Sequence, residues 1–293
     1  MTIRPILTLA ALAALMSPTA SGQAASPVEL RYKFAPGETS RFRIYQHTTG
    51  SRTITGSSTP SRIDVALTSI IRVRCSRIMP TGDAEITIET ESSTLRIAGH
   101  EASSPPASEP RTMLIASNGR VLPPAEPTAS AAPRSSKLDF GSVESIVLLA
   151  ILPDKPVSAG ESWPAEIPLP IAPGSMLALS FRLEEVKRAP NSRVAVIKLA
   201  LNTPINTDAS AAPPSPQGSQ EGAATLNFDL ERGSLQYAEG SVRSILTTYS
   251  RLPNMPGMGE QAGEQYAAST FNLESKFAVR RLDEPEPGRS GKP

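Results

Sequence analysis

One cysteine, two histidines and one tryptophan in 293 residues leave this chain short of the side chains that most enzyme chemistry uses. Cys75 alone can close no intramolecular disulfide, so stability has to come from packing. With only His47 and His100, and with no HExxH helix or Cys/His cluster, the sequence offers no zinc or copper site of the usual kind. It has no GxSxG nucleophile elbow and no glycine loop that would cradle phosphate. Aromatic residues make up 4% of the chain, too few for a sugar-binding cleft or a platform on which bases stack. Charge of one sign is missing as well: 29 basic residues face 28 acidic ones, which sets up no field for nucleic acid or an anionic membrane.

Long apolar runs are equally scarce, and the one that stands out lies at the start. Arg4 forms a positive n-region, residues 6–16 form an apolar stretch, and Gly22 and Ala24 put small residues at the −3 and −1 positions of a cleavage point. Residues 1–24 therefore read as a signal peptide. The stretch is far shorter than the roughly 20 residues that span a bilayer, and no stop-transfer segment follows. The expectation is an exported protein, periplasmic or extracellular, with no transmembrane span in the mature chain. A lipid anchor would need a cysteine directly after the cleavage point, and Cys75 comes too late.

In the remainder, apolar residues recur with period two rather than 3.6, the signature of strands. Residues 29–34 and 40–49 flank Ala35-Pro36-Gly37-Glu38 and read as a hairpin. Residues 63–79 and 83–98 form a second, much longer one across Pro80-Thr81-Gly82, with Ile63, Val65, Leu67, Ile71, Val73, Cys75 and Met79 on one face. In the second arm the apolar parity switches from even (Ala84, Ile86, Ile88) to odd (Leu95, Ile97), which predicts a β-bulge between Thr90 and Thr94. A loop at 101–109 leads into a short hairpin, 112–116 with 121–122, that turns at Asn118-Gly119. Residues 123–137 read as a linker, 142–152 as one short helix covering an end of the sheet, and 203–222 as a second insert too poor in apolar residues to order itself. Strands are expected at 163–171, 176–187, 193–201, 225–231, 234–238, 241–252 and 266–281, with a tail at 283–293.

The fold expectation is all-β: long curled antiparallel strands in two related units, forming a partial barrel or an extended sandwich, with one short helix. The first unit covers 25–122 and the second, with the helix, 138–282. Gly37-Glu38-Thr39 and Gly160-Glu161-Ser162 each precede a strand, and Gly119-Arg120-Val121 and Gly233-Ser234-Leu235 each close a short hairpin, so the order of parts suggests an internal repeat. The sequences Leu30-Arg31-Tyr32-Lys33-Phe34 followed by Gly37-Glu38, Leu152-Pro153-Asp154-Lys155-Pro156-Val157 leading to Gly160-Glu161-Ser162-Trp163, and Phe228-Asp229 before Gly233-Ser234-Leu235 resemble an uncharacterised family of exported bacterial all-β proteins, a domain of unknown function. The resemblance implies an envelope or secreted location and carries over no catalytic residue.

Individual side chains point the same way. Cys75 sits on an apolar strand face and reads as a small buried hydrophobe, and Trp163 as a core anchor. His47 and His100 read as exposed and inert. The carboxylate pairs Glu89/Glu91 and Glu184/Glu185 read as solvated strand faces, and Met255 and Met258 in a glycine-rich loop make a weak Cu(I) site at best. With no catalytic, cofactor or metal residue assigned, the sequence reads as a non-enzymatic binding or structural protein whose partner is a protein or an apolar ligand. The alternatives are an envelope carrier of lipid or lipoprotein with a hydrophobic cavity, and a hydrolase with an unrecognised site.

Overall fold

The computed structural model describes residues 26–102, 109–122, 150–168, 176–190, 192–206, 216–251 and 266–282. The expected signal peptide, linker and tail lie outside these residues, as do Met255, Met258 and most of the expected helix. Ala150, Ile151 and Leu152, the last residues of that helix, are buried and not helical.

Twelve strands make up the described structure: β1 (Thr39–Ile54), β2 (Ser61–Ile78), β3 (Ala84–Ile97), β4 (His100–Ala102), β5 (Arg111–Ile115), β6 (Val121–Leu122), β7 (Ser162–Pro168), β8 (Met176–Ala189), β9 (Ser192–Asn206), β10 (Gln217–Asp229), β11 (Ser234–Arg251) and β12 (Tyr266–Arg281). All belong to one antiparallel sheet, in the order β6-β5-β3-β2-β1-β12-β11-β10-β9-β8-β7, with β4 beside β3. Each half is an up-and-down meander, and pairing of β1 with β12 joins the halves into a continuous surface.

The buried apolar side chains sit on one face of this sheet. Phe42 and Ile44 of β1, Ile71 and Cys75 of β2, Leu226 and Phe228 of β10, Phe181 and Leu183 of β8, and Phe277 and Val279 of β12 form one hydrophobic cluster. Among the described residues no second layer covers that face, so the sheet must curl upon itself to bury it. Each fully buried Leu, Ile or Phe contributes about 1.5–3 kcal/mol relative to exposure. The observed form is the curled sheet and not a two-sheet sandwich.

Bulges assist the curling. Ile70 pairs with Ser92 and Ile71 with Thr90, leaving Glu91 as the extra residue inside the span where the parity switch predicts it. Further bulges fall at Ser76, between Cys75 and Arg77, and at Glu184, between Leu183 and Glu185. The bulge at Ser76 breaks the period-two face of β2, and Met79 lies beyond the strand end.

Four expectations are corrected. Residues 29–34 do not form a hairpin with β1, because both edges of β1 are occupied, by β2 and β12. Instead they cross the end of the sheet as a strap. Val28 pairs with Val157, the Arg31 guanidinium donates to Pro153 O (3.1 Å) and Asp154 O (2.6 Å), Tyr32 N donates to Ser117 O (2.8 Å), and Lys33 N donates to Gly233 O (3.0 Å). A second strap, 150–157, runs against the first: Leu152 N donates to Asn118 O (2.8 Å) and the Trp163 indole to Ile151 O (2.8 Å). These straps cover the end that the sequence assigns to a helix.

Residues 203–206 and 217–222 are strand, not insert; only 207–215 lie outside the described residues. Backbone pairing of β9 with β10 supplies the order that their composition does not, and Ile205 is fully buried. Finally, residues 234–251 form one strand rather than two, and His100 opens the short strand β4 rather than a loop.

The turns before β1 and β7 share a hydrogen-bond pattern. Gly37 N donates to Cys75 O (2.9 Å) and Cys75 N to Glu38 O (2.9 Å); Gly160 N donates to Leu183 O (2.6 Å) and Leu183 N to Glu161 O (3.0 Å). In both places a bulge follows directly, at Ser76 and at Glu184.

Gly119 shows how tightly the straps are seated. At φ +86°, a Cβ on it would lie 2.7 Å from Ala150 O and 2.8 Å from the Tyr32 ring, whereas a Cβ on Gly37, at φ +79°, would meet nothing within 4 Å. Both positions strain an alanine backbone by about 1–2 kcal/mol, but only Gly119→Ala adds a steric clash of about 1–3 kcal/mol. Denaturant unfolding followed by Trp163 fluorescence is expected to show Gly119→Ala as clearly the more destabilised; equal losses would mean that the straps yield freely.

Candidate functional site

The residues singled out in the sequence are scattered, and most have structural duties. Cys75 is 5% exposed; burial, with the Glu38 carboxylate nearby, pushes its thiol above the ordinary value, so it is a poor nucleophile. Trp163 is buried, with its ring stacked on Phe181 at 5.7 Å between centroids. His47, on the outer face, is half-buried and not simply exposed: its Nε2 lies 3.0 Å from Asp64 Oδ1. Glu185 pairs with Lys187 at 3.0 Å.

Glu89 and Glu91 do not form a catalytic pair. Glu91, the bulge residue, accepts two hydrogen bonds from Arg41 (2.8 and 2.6 Å) and lies 2.5 Å from Arg72, which also reaches Glu89 at 3.4 Å. The Arg41 hydrogen bonds, with help from Arg72, hold the Glu91 carboxyl below its usual range. The cluster fastens the bulge from outside.

Two open grooves of about 540 and 760 Å³ lie across the second half of the sheet. The small outer-face residues Ser180, Ala200, Ala223 and Ser241 are aligned by strand register and line them, flanked by Arg182, Lys198 and Glu239 on one side and Glu221, Arg243 and Glu274 on the other. Lys198 donates to Thr225 (3.0 Å), Tyr237 donates to Glu239 (2.6 Å), and Glu221 lies 3.9 Å from Arg243. Mixed charge over a floor of small side chains is an ordinary solvated strand face.

The inner face differs from one end to the other. Near the straps it is filled: Leu30, Leu152, Phe181 and Phe228 are essentially unexposed, and Tyr32 meets Phe228 edge-on at 5.2 Å between centroids. Toward the opposite end of β1–β3 the packing loosens. Ile63, Val65 and Leu67 of β2 and Leu95 of β3 are only partly buried, and Ile97 is 49% exposed. Register makes these five contiguous, since Val65 pairs with Ile97 and Leu67 with Leu95.

Beside them on β1 stand Thr48, Gly50 and Arg52, with Thr48 Oγ1 2.8 Å from Ser275 Oγ. Arg52 is the unusual member. Its guanidinium donates to Ser269 Oγ (3.1 Å) and lies 5.5 Å from the centroid of the Phe271 ring, while its Nε is buried with no hydrogen-bond partner. It makes no ion pair among the described residues. The inner end of the sheet thus combines a half-open apolar strip with a cation that lacks an anion. Sequence reasoning ended this strand near Thr49 and missed Arg52; the available signal was its even parity, shared with Phe42 and Ile44, whereas Arg41 and Arg43 are odd.

Among the described residues no helix is long and apolar enough to cross a membrane, and no three His, Cys, Asp or Glu side chains cluster as metal ligands. No family model matches the chain, and no curated protein matches it in sequence. Among solved structures it is similar to DynF from the dynemicin biosynthesis pathway of Micromonospora chersina, at 10% identity over 97% of this chain and 95% of that one, with a TM-score of 0.22. It is also similar to an outer membrane lipoprotein-sorting protein domain from Vibrio parahaemolyticus, described there as putative, at 8% identity over 84% and 87% of the two chains, with a TM-score of 0.12. At these TM-scores neither likeness bears on function.

Two outcomes follow from the outer face and the core. Glu91 has a lowered carboxyl pKa in the folded state, so its contribution is fully present above the unfolded value, near pH 4.3, and is lost as pH falls through the folded one. Stability measured against pH is expected to drop more steeply below about pH 4.5 in the native sequence than in Glu91→Gln; parallel curves would remove the cluster's role at the bulge. Cys75 is expected to react with a thiol reagent only at the rate of unfolding, and immediate labelling of the folded protein would contradict its burial.

Proposed function

We propose that this chain is an exported, non-enzymatic binding protein that holds an apolar ligand against the loosely packed end of its inner face. The single observation that carries this reading is the contiguous strip Ile63, Val65, Leu67, Leu95 and Ile97, left partly uncovered on the face that elsewhere forms a tightly buried core. Export rests on residues 1–24 as a signal peptide, and places the protein in the periplasm or outside the cell. A lipid carrier of the envelope is the form of this function that the strip best supports, since acyl chains are complementary to a curled apolar face. We also read the halves as copies of one repeated unit, supported by the matching turns and bulges at Gly37/Ser76 and Gly160/Glu184.

Native mass spectrometry of the protein purified from its own host compartment tests the main reading. The expected result is a population heavier than the polypeptide by a lipid-sized mass that organic extraction removes. Leu67→Asn together with Leu95→Asn is expected to abolish that population while the fold is retained; apo protein alone, unable to take up a long-chain lipid added back, would overturn the reading.

A further inference from the structure

We infer that Arg52 is the anchor for an anionic head group, and that the ligand is a long-chain amphiphile bearing a carboxylate or phosphate. This rests on the proposed function and adds the class of ligand and the residue that selects it. The guanidinium is oriented by one hydrogen bond to Ser269 and by the face of Phe271, its Nε is buried without a partner, and no carboxylate among the described residues neutralises it. Hydrogen bonds to a charged partner are stronger than those to a neutral one, and a guanidinium presents a planar fork matched to carboxylate and phosphate oxygens. An anion drawn into this site would complete the vacant Nε–H and supply the missing charge.

Register places the tail. Arg52 pairs with Ser61, the next inner-face positions are Gly50 with Ile63, then Thr48 with Val65, then Gln46 with Leu67. Gly50 puts no side chain opposite Ile63, and a Cβ there would collide with the Asn272 carbonyl, so the gap is held open by the backbone itself. From Arg52 to the level of Leu67 and Leu95 the strand rises roughly 20 Å, which accommodates an extended acyl chain with its head at Arg52. The arrangement selects a molecule with one anionic end and one long apolar body, and gives neither a free anion nor a neutral lipid its full set of contacts.

Titration calorimetry with laurate, 1-dodecanol and acetate separates these contributions, using the full mature protein and the variants Arg52→Gln and Arg52→Lys, with near-ultraviolet circular dichroism as the check on folding. Laurate is expected to bind the native sequence, to weaken about tenfold or more in Arg52→Gln and to recover part of that loss in Arg52→Lys. Dodecanol is expected to bind more weakly than laurate and to be indifferent to Arg52→Gln, and acetate to give no measurable binding. Laurate affinity unchanged in folded Arg52→Gln would overturn Arg52 as the anchor while leaving the apolar-ligand reading intact. Absence of binding by both laurate and dodecanol would overturn that reading and the anchor together. Should Arg52→Gln fail to fold, the comparison of laurate with dodecanol on the native sequence decides: equal affinities would overturn the anionic head.

Discussion

A single sheet with one apolar face has nothing to pack against except itself, and the rest of this molecule follows from that constraint. Helices would ordinarily supply the second layer, and none is found among the described residues. Curling brings the inner faces of the two halves into one cluster, but the ends of that face have to be closed by other means. The straps 28–34 and 150–157 close one end by backbone and side-chain hydrogen bonds to the turns at 117–119 and 230–233, to which Lys33 Nζ also donates at Leu230 O and Glu231 O. Among the described residues no comparable seal covers the other end of β1–β3, and there the apolar strip and Arg52 are found.

The division of labour between the two faces is equally physical. Outside, arginines and carboxylates pair across neighbouring strands, as Arg77 does with Glu85 and Arg72 with Glu89. Inside, polar groups are few and are matched to one another, as Ser69 is to Ser93 at 3.1 Å. Arg52 is the exception to that matching, which is why it carries more meaning than any of the many outer arginines.

Much of the fold was legible wherever alternation was sustained. The letters of Phe271, Leu273, Phe277 and Val279 define β12 to its ends, and the switch of parity after Ile88 locates the bulge that Glu91 fills. What was not legible is held by backbone rather than by apolar side chains. Residues 217–222 are glycine, serine, glutamine and glutamate, and order themselves by pairing on both edges. The strap 28–34 looked like a strand because Leu30, Tyr32 and Phe34 alternate, yet its partners are the second strap and the turns at Ser117 and Gly233, far along the chain. Arg52 escaped for a related reason: its side depends on parity carried across the polar run from Gln46 to Thr53.

The ordering of contacts along the chain has a kinetic consequence. β1 pairs with β2 at once, but its other edge is filled by β12, and Lys33 is bound by carbonyls 197 and 198 positions later, so these contacts form only when the last part of the chain has been made. Loop closure over such separations is slow, and the two halves cannot join into one sheet while the C-terminal strand is still missing. A polypeptide built in this order makes two local meanders first and becomes one continuous sheet only when its last strand is available.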